Sequence, residues 1–113
     1  MQFTLLLHEA EENFFDLDEA GQMAIVEDHM AYSKALEEAG AMVSGAALDP
    51  AGTARLVRGD TVEDGPFADS REQLGGFYVI EAASMDEAIA WAKRCPAART
   101  GTVEVRPVPD YGS

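Results

Sequence analysis

The stretch DGPFADSREQLGGFYVIE, from Asp64 to Glu81, most restricts the folds open to this chain. Its Phe77-Tyr78-Val79-Ile80 run is β-branched and aromatic without a polar break, the pattern of a strand covered on both faces. Just upstream, Asp64-Gly65-Pro66 is turn chemistry. Glycine accepts positive φ at no steric cost, and the proline fixes its own φ while steering Gly65 away from the helical region. Asp69 or Ser70 then predicts the cap of a single helical turn over Arg71, Glu72, Gln73 and Leu74, with Gly75-Gly76 supplying the positive φ that ends it. The same glycine pair would let a substrate or a second subunit approach the backbone closely.

The rest of the chain supplies partners for that strand. Phe3 to Leu7 is apolar on both alternating faces and predicts a second central strand, with Phe3, Leu5 and Leu7 on one side and Leu6 on the other. His8, Glu9, Glu11 and Glu12 follow as a polar loop or cleft rim. One imidazole beside flexible carboxylates lacks the fixed ligand set of a metal site. Asp16 as N-cap with Glu19 three residues later opens a helix that Gly40 closes. Ile25, His29, Tyr32, Leu36 and Ala39 share one stripe of it, and Met23, Val26, Met30 and Ser33 an adjoining one. That apolar arc is wider than one sheet face requires, so part of it should meet a cleft or a second subunit.

Ala41 to Leu48 predicts a strand, and Ala54–Arg58 with Thr61–Glu63 a peripheral hairpin around Gly59-Asp60. After the Phe77 strand, Ser84-Met85-Asp86-Glu87 is a capping box that opens a helix with Met85, Ala88, Ile89 and Ala92 inward, Trp91 at an edge and Pro96 at its end. Thr102 to Arg106 alternates as a strand with one wet face. The order is βαβ, an extra hairpin, then βαβ. An α+β, ferredoxin-like antiparallel sheet accommodates it, with strand order 4-1-3-2 and two helices on one face. Two helices cover only one face, so the apolar residues of the other imply a twofold homodimer of the dimeric α/β barrel type.

Size and charge narrow the functional classes. The 113 residues make one domain, 1-113. A net charge of −13 disfavours nucleic acid phosphates and anionic membranes as partners. No apolar run approaches the roughly 20 residues of a membrane span. Without the basic region and cleavage site of a signal peptide at the start, and with one cysteine, the chain is expected in the cytoplasm. That residue, Cys95, lies near a helix C-terminus whose partial negative charge opposes a thiolate, which argues for an inert thiol. Gly75-Gly76 precedes a strand rather than opening a helix, so no phosphate-binding loop is expected.

The signature DGPF followed by QLGG, with AGAMVSGAAL before it and DEAIAWAKRCPAARTGTVEVRPV after it, closely resembles the DGPF subfamily of the YCII-related domain family over essentially the whole chain. The resemblance implies a dimeric ferredoxin-like domain. It also implies a helix-1 histidine that works with an aspartate at a cleft. His29-Met30-Ala31-Tyr32 matches the histidine part, but Cys95-Pro96 stands where the wider family has Asp-Pro, so that acid is absent. Asp64, within the signature, is the acid to test in its place, although turn formation also accounts for it.

His29 is the leading candidate base on chemical grounds as well, since an imidazole titrates near neutral pH; a structural histidine in the wall of a pocket is the competing reading. Tyr32, Phe67, Gly75 and Gly76 are the pocket-wall candidates. The function that the resemblance mainly implies is a lyase or isomerase needing no cofactor, with His29 moving a proton on a small carbonyl or carboxylate compound. The alternative is a non-catalytic module that binds a small molecule or a protein.

Overall fold

A computed structural model describes residues 1–111. Six strands and four short or long helices follow in the order β1 (Gln2–Ala10), α1 (Glu12–Phe15), α2 (Glu19–Glu38), β2 (Met42–Ala47), β3 (Arg55–Arg58), β4 (Thr61–Asp64), β5 (Glu72–Glu81), α3 (Met85–Arg94), α4 (Ala97–Thr100) and β6 (Thr102–Pro107), with one 3-10 turn at Ala51–Thr53. Strands β2, β5, β1 and β6 form an antiparallel sheet in that spatial order, and β3–β4 form a separate hairpin. With the hairpin set aside, this is the 4-1-3-2 ferredoxin-like arrangement, and β1 and the Phe77 strand are the central pair as expected.

Alternation explains the core. Phe3, Leu5 and Leu7 of β1 and Tyr78 and Ile80 of β5 are buried with Tyr32 and Leu36 of α2 and Ala88 and Ala92 of α3, so both long helices cover one sheet face. On the other face Leu6 pairs with Phe77 and Thr4 with Val79, all only part-buried. Val57 and Val62 of the hairpin are 72% and 63% exposed, which leaves it peripheral.

Several local expectations are corrected. Strand β1 runs on through His8 and Glu9 to Ala10 where a polar loop was expected, because cross-strand pairing with β5 continues to Ala10. The N-cap of α2 is Asp18, whose Oδ1 accepts from the Gly21 N–H at 2.8 Å, and not Asp16, which closes the one-turn helix α1. The other end behaves as expected: Gly40 takes φ 71°, its N–H reaching the Glu37 carbonyl and the Ala41 N–H the Leu36 carbonyl.

No helical turn covers Arg71 to Leu74, since β5 already begins at Glu72. Gly75 and Gly76 lie inside that strand, and among the described residues only Gly40 and Gly59 have positive φ. The pair instead sits at a bulge, where Leu7 opposes Gly76, His8 opposes Leu74, and Gly75 is the extra residue. A Cβ on Gly76 would lie 2.8 Å from the Ala46 carbonyl oxygen, so close contact between β2 and β5 excludes a side chain there.

Ser84 caps α3 as expected, its Oγ accepting from the Glu87 N–H, while the Glu87 carboxylate reaches one residue further back than in a capping box and accepts from the Ala83 N–H. Ile89 is 37% exposed rather than inward, while Trp91 packs against the core with the Arg94 guanidinium over its ring at 4.4 Å. Pro96 ends α3 and also begins α4, because proline is tolerated in the first turn of a helix.

Candidate functional site

Helix α2 and the β2–β5 half of the sheet part to leave a cavity of about 570 Å³, walled at one end by α1. Its surface is mainly apolar, with Phe14, Phe15, Ile25, Val26, Met30 and Leu48 contributing, and its polar groups are few: Glu9, Glu11, His29, Ser33, Lys34, Glu37, Gln73 and Tyr78. A volume of this size with few convergent polar groups suits a small organic ligand. The second stripe of α2 thus has its use, since Val26 and Met30 line the cavity.

His29 is the chemical centre of this wall. Its Nδ1 lies 2.8 Å from the Tyr78 hydroxyl, and the two rings are near-parallel at a centroid separation of 6.1 Å. The stripe at three- and four-residue spacing aims His29 at the sheet, and alternation along β5 aims Tyr78 at the helix. Burial pushes the His29 pKa below the ordinary imidazole value, opposed by the charges of Glu9 and then Asp28, with Arg99 adding to the depression. Burial raises the Tyr78 pKa, with Ser33 acting against it through a hydrogen bond, so Tyr78 stays a neutral phenol at neutral pH. The neutral imidazole is the form a general base needs.

The other candidates divide. Gly75 and Gly76 line the cavity, and at Gly76 the missing side chain is what lets β2 approach. Tyr32 lies beneath the wall in the core; its hydroxyl donates to the Trp91 carbonyl at 2.7 Å and its ring meets Tyr78 edge-on at 5.2 Å. Phe67 is 83% exposed and does not line the cavity. Asp64 ends the peripheral hairpin, paired with Arg55 at 3.3 Å, and within this chain it is not brought to His29. The His29 hydrogen bond goes to a phenol rather than to a carboxylate.

Cys95 is 1% exposed, and burial pushes its thiol up to about 11. The second histidine, His8, points to the opposite sheet face, where its Nε2 lies 2.9 Å from Glu104; Arg106 also binds that carboxylate and, with His8, holds it below the usual carboxylate range.

Sequence reasoning missed Tyr78 as the histidine's partner, and Phe14 and Phe15 as cavity wall. A tyrosine in a doubly covered strand needs a hydrogen-bond partner when buried, and that was the available signal. Glu9 was seen only as rim. Continuing the alternation of Phe3, Leu5 and Leu7 by one more step places it on the cavity side.

Comparison with known proteins places these features in a wider group. The family described as YCII-related domain matches residues 1–111. An uncharacterized protein, R00369, of Rhizobium meliloti (strain 1021) is 43% identical over 93 residues, covering 77% of this chain and 75% of that protein. Among solved structures, 5-chloro-2-hydroxyhydroquinone dehydrochlorinase (TftG) from Burkholderia phenoliruptrix AC1100, in complex with 2,5-dihydroxybenzoquinone, superposes with a TM-score of 0.58 at 17% identity, covering 96% of this chain and 94% of that one. At that identity the likeness concerns the fold.

Proposed function

Since this chain belongs to the YCII-related domain family, we propose that it is a small-molecule lyase or isomerase in which His29 is the general base on a small carbonyl or carboxylate compound. The observation that carries this is the His29–Tyr78 hydrogen bond in the wall of a largely apolar cavity. In the tautomer with Nδ1–H donating to the phenol oxygen, Nε2 is the basic atom, and the contact with Tyr78 orients the ring. Burial keeps the imidazole neutral, so it is ready to take a proton from a carbon made acidic by a neighbouring carbonyl. The dehydrochlorination named for TftG is an elimination of the same proton-transfer class. The DGPF and QLGG motifs support placing the chain in the DGPF branch of the family.

The working unit in this reading is a homodimer joined through the open sheet face. Leu6, Phe77 and Val79 remain only part-buried there, and Leu74, which opposes His8, is 39% exposed.

One observation favours a second reading as a binding module without chemistry: the hydrogen-bonded partner of His29 is a phenol, which orients the ring without supplying a countercharge. A metabolite library screened by thermal shift, followed by turnover assays on each hit, separates the two. Under the enzyme reading a hit is converted by the wild type and not by a folded His29→Gln variant. Hits that bind both proteins and are converted by neither support the binding module.

A further inference from the structure

A base that accepts a proton inside an apolar wall becomes a cation there, and an isolated buried cation is costly unless a negative group faces it. Tyr78 cannot provide that charge, because burial keeps it a phenol. Nor can Cys95, a protonated thiol at the α3–α4 junction. Asp28, the neighbour of His29 in α2, already pairs with Arg99 of α4 at 3.1 Å.

Glu9 is placed differently. It lies near the end of β1, on the same side as Leu7, and lines the main cavity together with His29. A second cavity of about 210 Å³ has both residues in its wall as well, together with Arg99 and Thr100 of α4. The Thr100 hydroxyl donates to Glu9 Oε1, which steadies the carboxylate in that shared wall. Gly101 lies directly against it: a Cβ there would come 2.6 Å from Glu9 Cγ and would also collide with the His8 carbonyl. The α4–β6 junction is thus shaped around this side chain. Of the charges that favour a protonated His29, that of Glu9 is the largest, followed by Asp28, while Arg99 and burial act in the other direction.

We propose that Glu9 is the carboxylate partner of His29, a positioning residue that stabilises the imidazolium across the wall the two share, in the place that Asp64 does not reach. This rests on the general-base reading of His29. It adds that the acid comes from the first strand and is held by Thr100, with room made by Gly101.

The test is a ¹H–¹³C NMR titration of the His29 ring in the full chain, which requires no substrate. Glu9→Gln, which keeps the shape and removes the charge, should lower the His29 midpoint by about half a pKa unit or more. Glu9→Asp should restore part of the shift. Thr100→Val should move the midpoint in the same direction by less, and it serves should Glu9→Gln fail to fold. Glu104→Gln, on the other sheet face, should leave the His29 midpoint in place. A His29 midpoint unchanged in a folded Glu9→Gln protein, or in Thr100→Val if the first variant does not fold, overturns the pairing. If the shift is found but His29→Gln leaves turnover intact, the pairing stands and the general-base role falls.

Discussion

His29 on helix α2 and Tyr78 on central strand β5, 49 residues apart in the chain, share a hydrogen bond of 2.8 Å. That bond ties the helix to the sheet at the edge of the cavity. Tyr78→Phe keeps the ring against Tyr32 but leaves a half-buried imidazole nitrogen without its partner, at an expected cost of about 1–2 kcal/mol. Urea denaturation of the two proteins measures it, and equal midpoints would show that the contact adds nothing to stability.

The pH dependence of stability follows from the direction of the His29 shift. Burial lowers its pKa from the ordinary 6.5, so on acidification the unfolded chain takes up this proton first. The stability linked to His29 is therefore fully present above the unfolded pKa of about 6.5 and declines as pH falls below it. His29→Gln lacks this component. The stability of wild type minus variant, followed from about pH 8 to about pH 5, should level off at the alkaline end and fall toward the acid end. A rise on acidification would mean that charge attraction, rather than desolvation, dominates at this imidazole.

Two glycines should respond to substitution for different reasons. A side chain on Gly76 meets the Ala46 carbonyl at 2.8 Å inside the central sheet, while Gly59 has open space around it and φ 62°. Gly59→Val should cost about 1–2 kcal/mol of left-handed backbone strain. Gly76→Val should cost more, about 3 kcal/mol, because β2 and β5 must move apart. Denaturant midpoints in the reverse order would rule out the close approach of those strands.

Cys95 should be silent toward thiol reagents in the folded protein. It is 1% exposed, and the rise of its pKa from 9.0 to about 11 reduces the thiolate population about a hundredfold at neutral pH. Ellman's reagent should label it only after denaturant is added. Rapid labelling of the native protein would show that the α3–α4 junction opens.

A dimer through the open sheet face should be broken by a charge at its centre. Leu6 pairs with Phe77 across β1 and β5, so Leu6→Glu would place a carboxylate among apolar residues of both subunits. Light scattering at micromolar concentration should give a dimer for the wild type and a folded monomer for the variant. A monomeric wild type would remove the dimer from the proposed function.

The architecture was legible in the chain because its signals are local. Alternation in Phe3–Leu7, the uninterrupted Phe77–Ile80 run, the Ser84 N-cap and the Gly40 stop each report on a few neighbouring residues, and hydrogen bonding within an element or between adjacent strands obeys them. The stripe that turns His29 toward the sheet was legible for the same reason.

What the sequence left open was decided by contacts between distant segments. Gly75-Gly76 carries the local chemistry of a helix stop, yet pairing with β1 and the nearness of Ala46 draw it into a strand and a bulge. Asp64 stands in the most distinctive motif and still ends in an outlying ion pair with Arg55. The groups assembled around His29 come instead from β5, the end of β1 and α4, as Tyr78, Glu9 and Arg99. No local periodicity encodes their meeting. It is set by how the sheet order and the bulge bring three remote pieces of chain around one imidazole, where burial in turn favours the neutral forms of His29 and Tyr78.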